Sequence, residues 1–321
     1  MPDADASPMQ STDPRAPAWL KVNSSPYNRW RLTRGCGIEP ETLRILLGKP
    51  ERISGFDNGL VARVASAVGD RRAALLEIAG RDSVAAGLTA ASSGRYDLLI
   101  PTVVYTGTEY GDWDVVLNNA EALAGRLRDR RQVDVLETVV LGSPVWWHAV
   151  AARFSGELSR LYGFSTTCIA CHMYVHAARV PFARATGATA VIAGERLSHD
   201  GRRKLNQLEP CLRTYRAVLA EQGIELDMPL ESLQDGKRLE ELVGPGWAES
   251  GRQMRCILEG NYRDVSGEIT AREQDLEEYL GQFLAPAFQA ILSSFIRGDA
   301  PPDYLALAGE AFSSVLERRS G

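Results

Sequence analysis

The chain has 321 residues, of which 45% are hydrophobic, and its formal net charge is -5. A chain of this length buries a large core, so we expect one large domain with appendages, or two domains. Its apolar runs stay shorter than the roughly 18 residues of a membrane-spanning helix, and its first residues lack the apolar core of a signal peptide. The sequence therefore predicts a cytoplasmic protein that has no membrane partner.

The N-terminal part divides into two predicted segments. Residues 1–17 are rich in Ala, Ser, Asp and Pro, and they are predicted to form a disordered tail because they bury too little apolar surface to offset the entropy of ordering. Residues 18–70 contain tryptophans, arginines and short helical patterns at 40–47 and 59–68. They are predicted to form a small segment that packs on the main domain.

From residue 71 onward, short β-branched runs alternate with longer amphipathic runs. Strands are predicted at Ala73–Ala79, Leu98–Tyr105, Val133–Leu141, Ala188–Ala193 and Ile224–Leu230. Because helices fit between them, we predict an α/β fold with a doubly wound parallel sheet that is covered on both faces. Ligands of such sheets bind beyond the carboxyl ends of the strands, so the residues after each strand are the candidates for function.

The first strand is followed by a tight polar turn and then by a helical run. The turn consists of Ala79, Gly80, Arg81, Asp82 and Ser83. Gly80 permits close backbone approach, and Asp82 and Ser83 are predicted to cap the helix while its amides point at an anion such as phosphate. A capped turn without a ligand fits the same spacing.

The five cysteines lie at positions 36, 168, 171, 211 and 256. They are poorly explained as a disulfide framework in a chain without a secretion signal. Cys168 and Cys171 are three residues apart, so their thiolates can share a metal, hold part of an iron–sulfur cluster or form a disulfide. Cys36 and Cys211 are isolated and more typical of small buried residues, although Cys211 can serve as a fourth ligand or a persulfide carrier.

Further polar residues accompany these motifs. Gly194, Glu195, His199 and Asp200 follow the fourth predicted strand and so belong to the ligand edge of the sheet. His172 and His176 have helical spacing beside the cysteine pair; they can tune a cluster, but surface or core positions suit them as well. Trp146 and Trp147 are predicted to pack a helix.

The segment 261–321 has amphipathic runs around 276–295 and 304–316. These runs predict a helical C-terminal extension. We expect the extension to shape a substrate pocket or the interface of a homodimer.

Together, the turn and the cysteines resemble motifs of the PP-loop ATP pyrophosphatases, an adenine nucleotide alpha-hydrolase-like superfamily with a Rossmann-like fold. Gly80, Asp82 and Ser83 match its Ser-Gly-Gly-x-Asp-Ser loop, whereas Ile78 and Ala79 stand in place of a serine and a glycine. Cys168 and Cys171, then a helix, a strand that ends at Gly194 and a distant Cys256 are similar to the tRNA-thiolating branch. The resemblance covers roughly residues 72–260.

The resemblance implies a PP-loop domain at 71–260 that adenylates a carbonyl oxygen with ATP and Mg2+, releases pyrophosphate and lets sulfide displace AMP. The substrate would be tRNA or a small heterocyclic metabolite, and a sulfur donor protein would be a partner. Cys168, Cys171 and Cys256 would hold a 4Fe-4S cluster and, with Asp82, form the catalytic set. The implied nucleotide-binding residues are Ala79, Gly80, Arg81, Asp82, Ser83, Gly194, Glu195, His199 and Asp200.

Two alternatives to cluster-dependent thiolation stay open. A persulfide on a cysteine can deliver sulfur without a cluster. Zn2+ can be held by four thiolates from Cys168, Cys171, Cys211 and Cys256, and the chain would then be a non-thiolating nucleotide-binding protein with a structural zinc site. For the substrate, the acidic charge favours a small metabolite, whereas the basic stretch 126–131 offers a local patch for tRNA.

Overall fold

The computed structural model of the chain describes residues 58–106, 108–110, 114–130, 133–244, 254–297 and 302–320. The predicted tail at 1–17, the helical pattern at 40–47 and Cys36 lie outside the described residues. The predicted helix at 59–68 is confirmed as α1, Asn58–Val68.

A parallel sheet forms the centre of the fold. It contains six of the strands in the described residues, in the order β4-β2-β1-β6-β7, with β5 also paired to β2, and all of its pairings are parallel. The remaining two strands, β3 and β8, pair with each other in antiparallel fashion. The strands are β1 Ala73–Glu77, β2 Leu98–Val104, β3 Glu109–Tyr110, β4 Asp134–Val135, β5 Val139–Leu141, β6 Ala190–Ile192, β7 Glu225–Asp227 and β8 Arg255–Cys256.

Every predicted strand is found in the sheet, with shorter bounds. The run predicted at 133–141 is two strands, because the chain leaves the sheet after Val135 and pairs with β2 again from Val139. The sequence did not predict β3 and β8, because strands of two residues carry no alternation of apolar and polar positions.

Helices cover both faces of the sheet. In β1, Ala73 and Leu75 belong to one apolar core, and the alternating residues Ala74 and Leu76 belong to the other. This alternation confirms the doubly wound α/β fold. The helices after α1 are α2 Arg81–Ser92, α3 Asp114–Arg130, α4 Pro144–Trp147, α5 Ser155–Tyr162, α6 Thr167–Ala177, α7 Val180–Thr186, α8 Glu209–Glu221, α9 Gly236–Val243, α10 Glu273–Tyr279, α11 Ala285–Arg297 and α12 Tyr304–Ser320.

The C-terminal region is helical, as predicted, and it shares a core with the sheet. A π-helical turn, Leu280–Leu284, joins α10 to α11. Trp146 packs against Phe288 of α11 and stacks on Tyr304 of α12, with ring centroids 6.1 and 5.5 Å apart. These contacts add the C-terminal helices to the same apolar core as one face of the sheet.

Among the described residues, one helical stretch, Glu273–Arg297, is long and apolar enough to cross a membrane by length and composition alone. Half of its apolar window is buried inside the protein. Phe288 and Phe295 within this stretch pack against Trp146.

The order of the strands creates a crevice at the centre of the sheet. After β1 the chain moves to β2 on one side, and it later returns to β6 on the other side. Ligands of open α/β sheets bind at the carboxyl ends of two strands that are related in this way. Glu77 ends β1, and Gly194 and Glu195 follow β6, so these residues line the crevice.

Gly194 brings the segment after β6 against the turn that precedes α2. A Cβ atom at this position would lie 2.5 Å from the backbone nitrogen of Ser83 and 2.8 Å from the backbone oxygen of Asp82. Both atoms are backbone and cannot rotate away, so the close approach requires glycine.

We therefore expect Gly194→Ala to lower the free energy of unfolding by about 1–3 kcal/mol, the usual cost of overpacking. Gly125→Ala is the matched control, because a Cβ in the middle of α3 meets nothing within 4 Å. The control should raise the free energy of unfolding by about 0.5–1 kcal/mol, since alanine is the better helix former. Urea denaturation of both variants measures this, and equal stabilities would contradict the role of Gly194.

Candidate functional site

The polar turn after β1 is folded by Ser83. Its hydroxyl donates to the Gly80 carbonyl over 2.8 Å and accepts from the Ala79 amide over 2.9 Å. Gly80 is the N-cap residue of α2, and no side chain caps this helix. The prediction that Asp82 and Ser83 cap the helix is therefore wrong, because Ser83 bonds within the turn and leaves the first helical amides uncapped by side chains.

Asp82 lies among cationic and imidazole groups. Its carboxylate is 3.4 Å from Arg196 Nη1, 3.5 Å from His199 Nδ1 and 3.5 Å from Arg81 Nε. Arg196 is fully buried, and its guanidinium also donates to the carbonyls of Leu233 and Gln234. Arg196 was not predicted as a site residue, because an arginine usually lies on the surface.

A buried ion pair joins β1, β2 and the end of α6. Glu77 at the end of β1 lies 3.3 Å from Arg179, whose side chain is fully buried just after α6. Arg179 Nε also donates to the Thr102 hydroxyl of β2 over 2.7 Å. The other partner of Glu77 is His176, whose Nδ1 lies 3.0 Å from the carboxylate. One carboxylate thus fixes two residues of the cysteine-bearing segment to the sheet.

Glu195 continues this network across the crevice. Its Oε1 lies 3.0 Å from His172 Nδ1 and 3.2 Å from His176 Nε2. Its Oε2 accepts a hydrogen bond from Gln207, whose side-chain oxygen in turn contacts His199. Because His199 also contacts Asp82, the network connects the turn before α2 to helix α6.

The charges in this network stabilise one another against burial. Burial alone would lower the pKa of His176, but the nearby carboxylates of Glu77 and Glu195 raise this pKa to about 9. Burial would raise the pKa of Glu195, yet His172 and His176 hold it well below its usual value. Burial would also raise the pKa of Glu77, but Arg179 and His176 lower it below its usual value. His176, Glu77 and Glu195 are therefore charged at neutral pH when only protons occupy the network.

Three of the predicted ligand cysteines approach the same region. Cys168 and Cys171 lie one turn apart on α6, and Cys256 lies on β8 opposite Glu109 of β3. Thr108 connects the two parts, because its hydroxyl lies 4.0 Å from Cys171 Sγ and its carbonyl accepts from the amide that follows Cys256. Among the described residues, the compact group of potential metal ligands consists of His172, His176 and Glu195 and does not include these sulfurs.

Cys211 lies apart from this group. It is fully buried in α8, and its thiol donates to the Leu205 carbonyl over 3.3 Å. Zinc–thiolate bonds of about 2.3 Å place sulfur atoms about 3.8 Å apart around one ion. Four cysteines that hold a single zinc ion must bring their sulfurs this close together. A cluster, in which each thiolate binds its own iron, spaces its sulfurs more widely.

Hydrogen-bond donors surround the sulfur atoms. Trp147 donates its indole N–H to Cys171 Sγ over 3.3 Å, and the Leu258 amide donates to Cys256 Sγ over 3.4 Å. Trp146 packs in the core as predicted, whereas Trp147 has this polar contact that the sequence analysis missed. Burial raises the pKa values of Cys168 and Cys171 to about 12 each, so both are protonated thiols at neutral pH in the absence of a metal.

Two further residues that were predicted for the site, Asp200 and Ala79, form hydrogen bonds with other parts of the fold. Asp200 has a positive φ of 53°, and its carboxylate accepts from the Gly236 amide at the start of α9 over 2.7 Å. The Ala79 carbonyl accepts from the Asn119 side chain over 2.9 Å. A small cavity of about 80 Å³ lies beside the turn and is lined by Ile78, Ala79, Val103, Val104, Glu109, Val116 and Met254.

Comparison with known proteins finds one informative relative. No protein-family model matches the sequence. The chain is 32% identical over 230 residues to the uncharacterized protein MJ0009 of Methanocaldococcus jannaschii. The match covers 71% of this chain and 83% of the archaeal protein.

We expect loss of the buried Glu77–Arg179 ion pair to have a large effect on the free energy of unfolding. Arg179→Met keeps most of the side-chain volume but leaves Glu77 without its guanidinium partner. We expect it to lower the free energy of unfolding by about 3–5 kcal/mol, the cost of removing one member of a buried pair. Arg213→Met is the control: Arg213 pairs with Glu277 at the surface, where side chains are more than half exposed, so its loss should change stability little. Similar denaturation midpoints for the two variants would contradict this prediction.

Proposed function

The chain belongs to the family of the Methanocaldococcus jannaschii protein MJ0009, and we propose that it is an ATP-dependent sulfurtransferase of the PP-loop type. In this proposal it adenylates a carbonyl oxygen of its substrate, releases pyrophosphate and replaces the oxygen with sulfur. The observation that carries the proposal is the continuous polar network from Asp82 to His172, which joins the turn before α2 to the helix that bears Cys168 and Cys171.

The turn before α2 supplies the nucleotide side of the proposal. Helix α2 has 12 residues and no side-chain cap, so its first amides can donate to the phosphates of ATP. Arg81 and Arg196 would neutralise the charge of the departing pyrophosphate, and the Asp82 carboxylate would bind Mg2+. Gly194 packs against the backbone of Asp82 and Ser83, so the turn would have its phosphate-binding shape before the nucleotide binds.

The cysteines fit an iron–sulfur cluster by their donor chemistry. Cys168, Cys171 and Cys256 would hold it, and the N–H groups of Trp147 and Leu258 already point at two of the sulfurs. Hydrogen bonds of this kind tune the thiolates of such clusters. When bound through three thiolates, a 4Fe-4S cluster supplies an iron with an open position for sulfide.

The proposed reaction balances as two displacements. The carbonyl oxygen of the substrate attacks the α-phosphorus of ATP, the bond to pyrophosphate breaks, and the amides before α2 bind the leaving group. Sulfide delivered at the cysteines then attacks the activated carbon, and the C–O bond breaks to release AMP. The chain's own residues would hold the two reacting ends on the same edge of the sheet.

The proposed substrate is tRNA or a small heterocyclic metabolite, and the net charge of -5 favours the smaller molecule. A sulfur donor protein would be a partner, and the protein would act in the cytoplasm without a membrane. The C-terminal helices would contribute to the substrate pocket or to a homodimer interface.

The first test is the metal and sulfide content of protein purified without oxygen. We expect about four irons and a broad visible absorbance. Cys256→Ala should lose both, because it removes one of the three proposed thiolates. Cys211→Ala is the matched control and should keep its iron, since Cys211 lies buried in α8 away from the other three.

The second readout is the release of pyrophosphate from ATP. Asp82→Asn should abolish it while the iron content stays unchanged, because the substitution removes the proposed magnesium ligand and leaves the three proposed cluster cysteines in place. One tightly bound zinc, no iron and no turnover of ATP would instead favour a non-thiolating nucleotide-binding protein with a structural zinc site. Turnover with neither metal would favour persulfide chemistry.

A further inference from the structure

We infer that His172, His176 and Glu195 bind a divalent transition-metal ion, separately from the cysteines. One potential ligand atom from each residue lies within 4.8 Å of the other two. Two imidazoles and one carboxylate are a donor set that proteins use for zinc, iron and related ions. The inference does not rest on the proposed sulfur transfer.

The backbone brings the three ligands together. His172 and His176 are four residues apart on α6 and so lie on one face of the helix. Glu195 follows β6 and faces them from across the crevice. Its Oε1 lies 3.0 and 3.2 Å from nitrogens of the two histidines. Ligand atoms bound to one ion at about 2.1 Å are about 3–3.5 Å apart, so these two distances match an occupied site.

His176 presents a nitrogen without a hydrogen-bond partner. The residue is fully buried, and its Nε2 makes no aligned hydrogen bond although Glu195 Oε1 is close. A buried polar atom without a partner is unfavourable, and the few that occur in proteins often mark a functional site. A metal ion between His176 Nε2 and Glu195 would give this nitrogen a ligand bond.

The side chains that contact the three proposed ligands are arranged like the groups that orient the ligands of known metal sites. Metal-bound histidines usually direct their second ring nitrogen at a carboxylate, which fixes the tautomer and the ring orientation. Glu77 plays this part for His176 Nδ1 at 3.0 Å and is itself paired with Arg179. Gln207 donates to Oε2 of Glu195 and so leaves Oε1 facing the histidines.

The site has an entry path on one side. His176 and Glu195 are buried, whereas 38% of the His172 side chain is exposed. An ion can enter past His172, and a coordination position on that side stays available to water or to a substrate oxygen. Three protein ligands and one open position are typical of a catalytic metal site, which polarises a carbonyl group as a Lewis acid.

The test is titration of the full chain with Co2+, followed by displacement with Zn2+, in a variant in which Cys168, Cys171 and Cys256 are all changed to serine so that the proposed cluster ligands cannot bind the ion. We expect one Co2+ with weak visible bands and no sulfur-to-cobalt charge transfer in the near ultraviolet. His172→Asn and Glu195→Gln should weaken the binding at least about 100-fold, and Glu77→Gln should weaken it about 10–100-fold through the orientation of His176. His148→Asn is the matched control, because His148 is exposed outside the site.

Two features keep this test decisive. His172 is partly exposed, so His172→Asn should retain the circular dichroism spectrum and melting temperature even if variants of the buried ligands do not fold. The triple serine background removes the three proposed cluster thiolates, so the Co2+ that it binds is assigned to the histidine site. Absence of binding in that background, strong charge-transfer bands, or an affinity that His172→Asn leaves unchanged would each overturn the inference.

Discussion

The contact between Glu77 and Arg179 is the constraint on which the functional edge of this protein depends. An arginine without exposed surface is costly to desolvate, and only a well-placed carboxylate and hydrogen bonds to β2 offset that cost. The pair ties the C-terminal end of α6 to the central strand. Since α6 also bears two cysteines and two histidines, the position of each of these side chains follows from this one anchor.

The polar network connects the Glu77–Arg179 pair to the side chains that line the crevice. Glu195 stands between the histidines of α6 and Gln207, and through Gln207 and His199 it reaches Asp82. Every side chain along this path contacts a polar or oppositely charged neighbour, which compensates its burial. The turn before α2 and the cysteine helix are therefore parts of one electrostatic unit, as a reaction that uses both would require.

The regular part of the fold could be predicted from sequence. The β-branched runs located every strand of the main sheet, and the amphipathic runs located the C-terminal helices. These signals are local, because burial on one face imposes a period on neighbouring residues. The turn at 79–83 and Glu195 were likewise recognised as edge residues from their position after strands.

The sequence could not predict contacts between distant residues that lack such a period. The pairing of β3 with β8 joins Glu109 to Cys256 through two residues on each strand. Arg179 and Arg196 had to be expected at the surface, because their partners are far away in the chain. The histidine spacing of α6 was visible, but only the folded chain shows that Glu195 faces it.

The β3–β8 pairing is short, and this affects how a group could reach or leave the three cysteines. Two residues on each strand make few hydrogen bonds, so local opening there costs far less than global unfolding. Cys168 and Cys171 belong to a helix packed in the core, whereas Cys256 belongs to this weakly held strand. Any group assembled on the three sulfurs would thus be received first by the helix and enclosed afterwards by β8, and it would leave by the reverse route.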